Sequence, residues 1–374
     1  MFLALKEMRR APVRFGLLVV ATGLLVFLIL VQQALQDGLI TSFIGAIRNQ
    51  SAPVLVYSVD AQRTLQGSVI PPPLEQAVRA TDGVATAARV VQGTFTVEVE
   101  GRDGESDAAL VGSDDDRLAR PSDVVSGRQP AGPGEAVGSD VDFAVGDRVT
   151  VLAAGGRDAV TVTVVGLARD VQLSVTPTLF TDLGTVEAAV RAANPDATDV
   201  LPNALAVQPG SGVTAEEVAD RINATAPDAE ALTRDQAAER APGVEQVRQS
   251  FRVIFALYAL VVPLVTGLFF LIATLQKARS LTLLRAVGAR AGTLAVALLA
   301  QVAVVIGLGL ALGIALYAPL SQSRVGGLAL RFDAGAVVTW SLLLLALGLV
   351  SAVASLRRVL RIDPIEATTV AGVR

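Results

Sequence analysis

The chain has 374 residues, 52% hydrophobic and only 18% charged, with 31 Lys and Arg against 35 Asp and Glu for a net charge of -4. An ordinary soluble domain carries about a quarter charged residues, so this composition points toward a bilayer. With no Cys and no His, disulfide scaffolds, thiol nucleophiles, Cys/His zinc sites and imidazole bases are all excluded.

Residues 1–14 are basic, with Lys6, Arg9, Arg10 and Arg14, and they precede an uncharged stretch over 15–36. That stretch is long enough for a helix crossing hydrocarbon, which takes about 20 residues. It exceeds the apolar core of a signal peptide, and no small-x-small cleavage site follows closely, so retention is preferred over cleavage. Leu35, Leu39, Phe43 and Ile47 then recur every fourth residue, one stripe of a continuing helix. One long helix is predicted to leave the bilayer near Gln32 and end near Asn49, a membrane crossing plus a stalk.

Residues 37–252 read as a soluble α+β domain. Its charge is distinct, since residues 37–250 hold 31 acids and 16 bases. A strand is predicted over 54–59, then a helix opened by Pro71–Pro73 with Leu74, Ala77 and Val78 on its inner face. Strands follow at 90–91, 94–99 and 108–111. Short strands at 137–138, 149–152 and 159–165, separated by Gly-rich turns, suggest a small β-barrel. A strand over 204–207, a helix over 215–224 capped by Thr214, and a strand over 230–232 suggest a small split βα unit. Residues 236–251, broken at Pro242-Gly243, return as a second stalk.

Three further uncharged stretches follow, at 253–276, from 291 to about 316, and at 334–356. Basic residues stay on the cytoplasmic side of a membrane. Here they cluster at 1–14, in the loop 277–292 (Lys277, Arg279, Arg285, Arg290) and after the fourth stretch (Arg357, Arg358, Arg361). The fold class expected is an all-α transmembrane domain of four helices with a large α+β extracytoplasmic domain between helices 1 and 2. In order, the segments are a cytoplasmic start 1–14, span 15–36, outer domain 37–252, span 253–276, cytoplasmic loop 277–292, span 293–317, outer loop 318–333, span 334–356 and cytoplasmic tail 357–374. Both termini are then cytoplasmic. A thiol at Ser113 is expected to face the outside and one at Ala289 the cytoplasm.

Neither Lys6 nor Lys277 follows a glycine, so the chain has no P-loop and cannot hydrolyse ATP by that route. No site residue is catalytic in this reading. The run Asp114-Asp115-Asp116 lacks the alternate spacing and distal Glu of a calcium loop and reads as a solvated turn. Gly309 and Gly313 stand four apart in the third span, spacing that lets another helix approach closely. Loop 277–292 contains a short amphipathic helix with Leu281, Leu284 and Val287 on one face, suited to a partner's groove.

Leu283-Leu284-Arg285-Ala286-Val287-Gly288-Ala289 in that loop resembles the LLRALGA signature of FtsX/MacB-type ABC transporter permeases. Arg361-Ile362-Asp363-Pro364-Ile365-Glu366-Ala367 resembles that family's ending. Gly134–Ser139 with Val145–Val149, then Val164–Leu167 and Pro177–Phe180, resemble its extracellular core domain. The start, 5–37, is closest to the DevC-like branch. Ser280 stands where many members carry Glu. The resemblance implies a MacB-like core domain and a permease subunit that binds no cofactor itself and pairs with a separate ABC ATP-binding subunit, where ATP and Mg reside. It implies a second permease subunit as well, a place in the cell membrane, and coupling to the ATPase through Arg279, Ser280, Leu281, Leu284, Arg285, Ala286 and Gly288. It implies mechanotransmission, moving a lipid, glycolipid, peptide or envelope component, with an adaptor or envelope protein as a further partner and no nucleic acid. The alternative is an FtsX-like regulator of cell-envelope enzymes that transports nothing.

Overall fold

A computed structural model describes residues 12–153, 157–197, 199–276, 291–321, 324–325, 328–330 and 332–360. The chain divides into two compact units, one of Met1–Gly38 with Gln249–Arg374 and one of Leu39–Arg248.

Helix α1 (Pro12–Arg48) brings the chain into the second unit. There β1 (Val54–Ser58), α2 (Pro72–Ala80) and β2 (Val84–Val99) form one β-α-β segment. After an excursion, β9 (Ala204–Pro209), α4 (Ala215–Thr225) and β10 (Ala229–Thr233) form another. Their strands lie in the order β10-β1-β9-β2, all antiparallel, the arrangement of a split βαβ layer. Each helix starts where the sequence directs it. Pro72 fills a first-turn position whose N–H has no partner, and Thr214 with Glu217 closes a capping box.

The excursion supplies β3 (Glu105–Ser113), β4 (Val124–Gly127), β5 (Glu135–Ser139), β6 (Arg148–Ala153), β7 (Arg157–Ala168), β8 (Thr178–Asp182) and α3 (Leu183–Ala193). Pairings run β2-β3-β8-β5-β7-β6 and back to β2, so six strands close a barrel. Closure removes the free edges that an open sheet would expose. Val97, Leu110, Ala136, Val149, Val164 and Leu179 fill its interior, completely or almost completely buried. Strand β2 is shared, pairing with β9 in the layer and with β3 and β6 in the barrel.

Alternation along the strands sends side chains to two faces of the layer. Val54 and Val56 meet Leu74, Val78, Val218 and Ile222 from α2 and α4. Leu55 and Tyr57 meet the opposite face, where Ile40, Ile44 and Ile47 of α1 are buried with Ala237 of α5 (Arg234–Glu239) and Val244 of α6 (Val244–Gln276). Each fully buried aliphatic side chain contributes about 1.5–3 kcal/mol, so both stalk ends are anchored by core burial.

Three expectations need correction. The two strands expected at 90–91 and 94–99 are one strand, because Gly93 does not interrupt it. Gly93 instead leaves room for the Phe95 ring, whose Cζ would stand 2.5 Å from an added Cβ. Helix α3 was not foreseen, although Asp182 caps it by accepting from Thr185 N–H at 3.0 Å. Ser113 is not open to a thiol reagent: it closes β3 at 3% exposure, so a thiol probe of sidedness belongs at Asp116, whose side chain is 85% exposed.

In the other unit, α6 continues to Gln276, followed among the described residues by α7 (Ala291–Leu320) and α8 (Ala334–Leu360). Among the described residues two helical stretches are long and apolar enough to cross a membrane, Phe15–Arg48 and Leu299–Leu320, and Ala334–Leu347 is a shorter apolar stretch. Helix α7 passes Pro319 only at its last turn, where Ser321 Oγ donates to Ala318 O at 2.8 Å and satisfies an end carbonyl. Val26, Ile29 and Leu30 of α1 pack with Tyr317 of α7 and with Val337 and Leu344 of α8. Val253, Leu257, Leu260, Leu264 and Leu268 form an exposed apolar stripe on α6, and Leu17, Val20, Leu24 and Leu28 form one on α1. Exposed apolar stripes of this length mark surfaces that meet a membrane or another protein.

Candidate functional site

The residues expected to couple to an ATPase, Arg279, Ser280, Leu281, Leu284, Arg285, Ala286 and Gly288, lie outside the described residues. The loop that carries them joins the end of α6 to the start of α7.

Gly309 and Gly313 are described. They lie on the face of α7 that meets α1. A Cβ at Gly309 would stand 2.7 Å from Thr22 Cβ, and one at Gly313 would stand 2.6 Å from Val26 Cβ and 2.8 Å from Gly23 O. Gly23 reciprocates, since its own Cβ would stand 2.8 Å from Leu312 Cδ2. Gly307 has nothing within 4 Å, so proximity to Gly309 in sequence does not place it in the contact. Gly23 carries no small-xxx-small partner on its own helix to mark it, since the residues four away on either side are Val19 and Phe27. Nearby, Trp340 Nε1 donates to Gln33 Oε1 at 3.3 Å and Gln33 Nε2 to Asp37 Oδ2 at 3.0 Å. The Trp340 ring lies 4.9 Å from that of Phe255.

In the α+β unit a largely buried carboxylate binds α2 to β2. The Glu75 carboxylate, 7% exposed, accepts from Arg79 Nε at 2.9 Å and from Arg89 Nε at 2.8 Å. Burial pushes this carboxyl up, but the hydrogen bonds from Arg89 and Arg79 outweigh it and hold it below its ordinary 4.5. Such a carboxylate stabilises the fold above its ordinary value, and the effect is lost as pH falls through the lowered value. The melting temperature of Glu75→Gln is therefore expected below wild type at neutral pH and to converge with it in acid. Equal melting at neutral pH would show that the network contributes nothing.

Asp114, Asp115 and Asp116 each have a local explanation. Asp114 Oδ1 accepts from Arg89 N–H at 2.7 Å, Asp115 Oδ1 accepts from the N–H groups of Arg117 and Leu118, and Asp116 is solvated. Among the described residues no group of three or more acidic side chains is placed to hold a metal ion. At the turn between β2 and β3 a shallow polar hollow of about 540 Å³ is lined by Glu98, Glu100, Arg102, Asp103 and Arg148. Arg102 is committed to structure there, reaching Asp142 O at 2.6 Å and Asp147 Oδ2 at 2.7 Å.

No protein-family model matches the chain, and no curated protein matches it. Among solved structures, it is similar to the extracellular domain of the ABC-type transporter YknZ from Gram-positive bacteria. The identity is 14% and the TM-score 0.31, over 48% of this chain and 99% of that one. It is likewise similar to the periplasmic region of MacB from Actinobacillus actinomycetemcomitans, at 12% identity and a TM-score of 0.35, over 50% of this chain and 92% of that one.

Proposed function

We propose that the chain is the permease subunit of an ABC transporter of the FtsX/MacB type, working by mechanotransmission with a separate ATP-binding subunit. The observation that carries this is the pair of unbroken helices α1 and α6. Each carries an uncharged stretch of membrane length in its sequence, at 15–36 and 253–276, and has its other end buried in one core cluster of the α+β unit. A helix is stiff over such lengths, about 1.5 Å per residue, so displacement at one end reaches the other. The five family-like motifs, in family order, point the same way.

In this reading the chain crosses the cell membrane four times, at 15–36, 253–276, 293–317 and 334–356, with both termini inside. The loop 277–292 docks on the ATPase, and a second permease subunit completes the complex. The spans hold no acidic or basic side chain, so they offer no ion or proton path. The cargo is therefore handled on the outer side: a lipid, glycolipid, peptide or envelope component, with an adaptor or envelope protein as the receiving partner.

The chain has no Cys, so single thiols report without background. A membrane-impermeant thiol reagent on intact cells is expected to label Asp116→Cys and spare Ala289→Cys. The purified chain is expected to turn over no ATP alone and to support turnover with its ATP-binding partner. Labelling at position 289, or robust ATP hydrolysis by the chain free of any ATPase, would sink the reading.

A further inference from the structure

The last turns of α1 are held by the strap of residues 170–176 between β7 and β8, mainly through backbone groups. Val175 N–H donates to Ser42 O at 2.7 Å and Ser174 N–H to Phe43 O at 3.0 Å. Ala46 N–H donates to Gln172 O at 2.9 Å, and Asn49 Nδ2 donates to Asp170 O at 2.6 Å. In a regular helix Ala46 N–H and Ser42 O would bond to each other; here each has a partner in the strap. The approach is so close that a Cβ at Gly45 would collide with the Asp170 carbonyl.

The strap is strained. Asp170, Ser174 and Val175 have φ of 56°, 53° and 64°. Asp adopts this left-handed region readily, whereas a β-branched residue there is an outlier. Val175 is also 40% exposed, so burial of its side chain does little to offset the cost. Such conformations persist only where the surroundings over-determine them. The surroundings include the bond that closes the Leu173–Thr176 turn, from Thr176 N–H to Leu173 O at 2.9 Å, the three bonds to α1 and the one from Asn49 just beyond it, the bond from Leu173 N–H to Thr178 Oγ1 at 3.0 Å and that from Gln172 Nε2 to Asp142 Oδ2 at 2.7 Å. Val171 and Leu173 are buried in the core that holds Ile44 and Ile47.

Helix α1 thus has two attachments within the outer domain. Its covalent continuation enters the layer through β1, while the strap ties it to two strands of the barrel. We propose that the strap is a strained clasp that joins the end of α1 to the barrel and opens together with it, so that movement of α1 reaches β7 and β8 as well as β1. This deepens the permease reading by naming the joint on which a moving helix would act.

Hydrogen exchange of the full-length chain in detergent, read by mass spectrometry, tests the clasp without any ATPase. Peptides over 169–177 and 40–48 are expected to share one opening rate. Asn49→Ala should speed both about fivefold, the effect of losing one hydrogen bond from a locally opening unit. Gly45→Ala should speed both further, with peptides over β1 and β9 unchanged. Val175→Asn, which relieves the β-branched outlier, should slow both. If Gly45→Ala also strips protection from β1, that variant has unfolded, and Asn49→Ala with Val175→Asn decide the matter. Strap peptides that speed up while 40–48 holds its rate, or no change in either, would overturn the clasp. The permease reading would be untouched by that result, because it stands on ATPase binding at the 277–292 loop.

Discussion

Gly313→Val is expected to destabilise the helical unit more than a valine at any other glycine of α7, and Gly309→Val to follow it. A Cβ at position 313 meets Val26 Cβ at 2.6 Å and Gly23 O at 2.8 Å, and a backbone oxygen in a helix cannot swing aside. The helices must separate, and with them the contacts of Val26, Ile29 and Leu30 with Tyr317. Overpacking of this kind costs roughly 1–3 kcal/mol and occasionally more. In lipid no hydrophobic driving force offsets a lost fit, because the tails are as apolar as the side chains they replace. Gly307→Val is the internal control. It makes the same change in the same helix where nothing lies within 4 Å, and it should melt like wild type. The measurement is thermal unfolding of the three full-length variants in one detergent. If Gly307→Val is as damaging as Gly313→Val, the harm lies in the helix itself and the close contact with α1 is irrelevant.

Local signals were legible and long-range ones were not. The four-residue stripe from Leu35 to Ile47 placed the end of α1 at Asn49, and the helix ends at Arg48. Thr214 announced α4 because a hydroxyl three residues before a Glu satisfies N–H groups that otherwise lack partners. The Gly-rich turns between short apolar strands suggested a barrel, and a barrel closes. Its closing pair, β2 with β6, joins Val97 to Val151, and nothing in either strand names the other. The same holds for β2, whose double service in layer and barrel depends on which strands arrive beside it. Helix α3 carries its own local signal: a capping Asp182, then Val186, Ala189 and Val190 at helical spacing. The strap at 170–176 had almost none. Its grip on α1 runs chiefly through backbone atoms, which every residue carries, and Val175 sits in a conformation its side chain disfavours. Its one local trace is Gly45, a glycine inside a helix where the absence of a side chain has a spatial reason that shows only in the folded chain.

The other large effect is expected at the loop between α6 and α7. Leu284→Asp should abolish association with the ATP-binding subunit, and Arg285→Glu should come close to doing so. A short amphipathic helix seated in a groove depends on its apolar anchor, and truncating a buried anchor costs roughly 2–4 kcal/mol, about 30- to 1000-fold in affinity. Asp at position 284 does worse than truncation, since it would also leave an unpaired charge in the groove. Arg290 is last in sequence of the loop's basic residues, and a charge at an interface rim contributes little, so Arg290→Gln is expected to bind nearly as wild type does. Insertion is not expected to change in either severe variant, because Lys277, Arg279 and Arg290 remain to favour the proposed cytoplasmic placement of the loop. The comparison that decides is capture of the ATP-binding subunit from membranes with equal amounts of each permease variant. If Leu284→Asp captures as much ATPase as wild type, the loop is a topological flank alone, and the proposed transmission through α1 and α6 loses this point of entry.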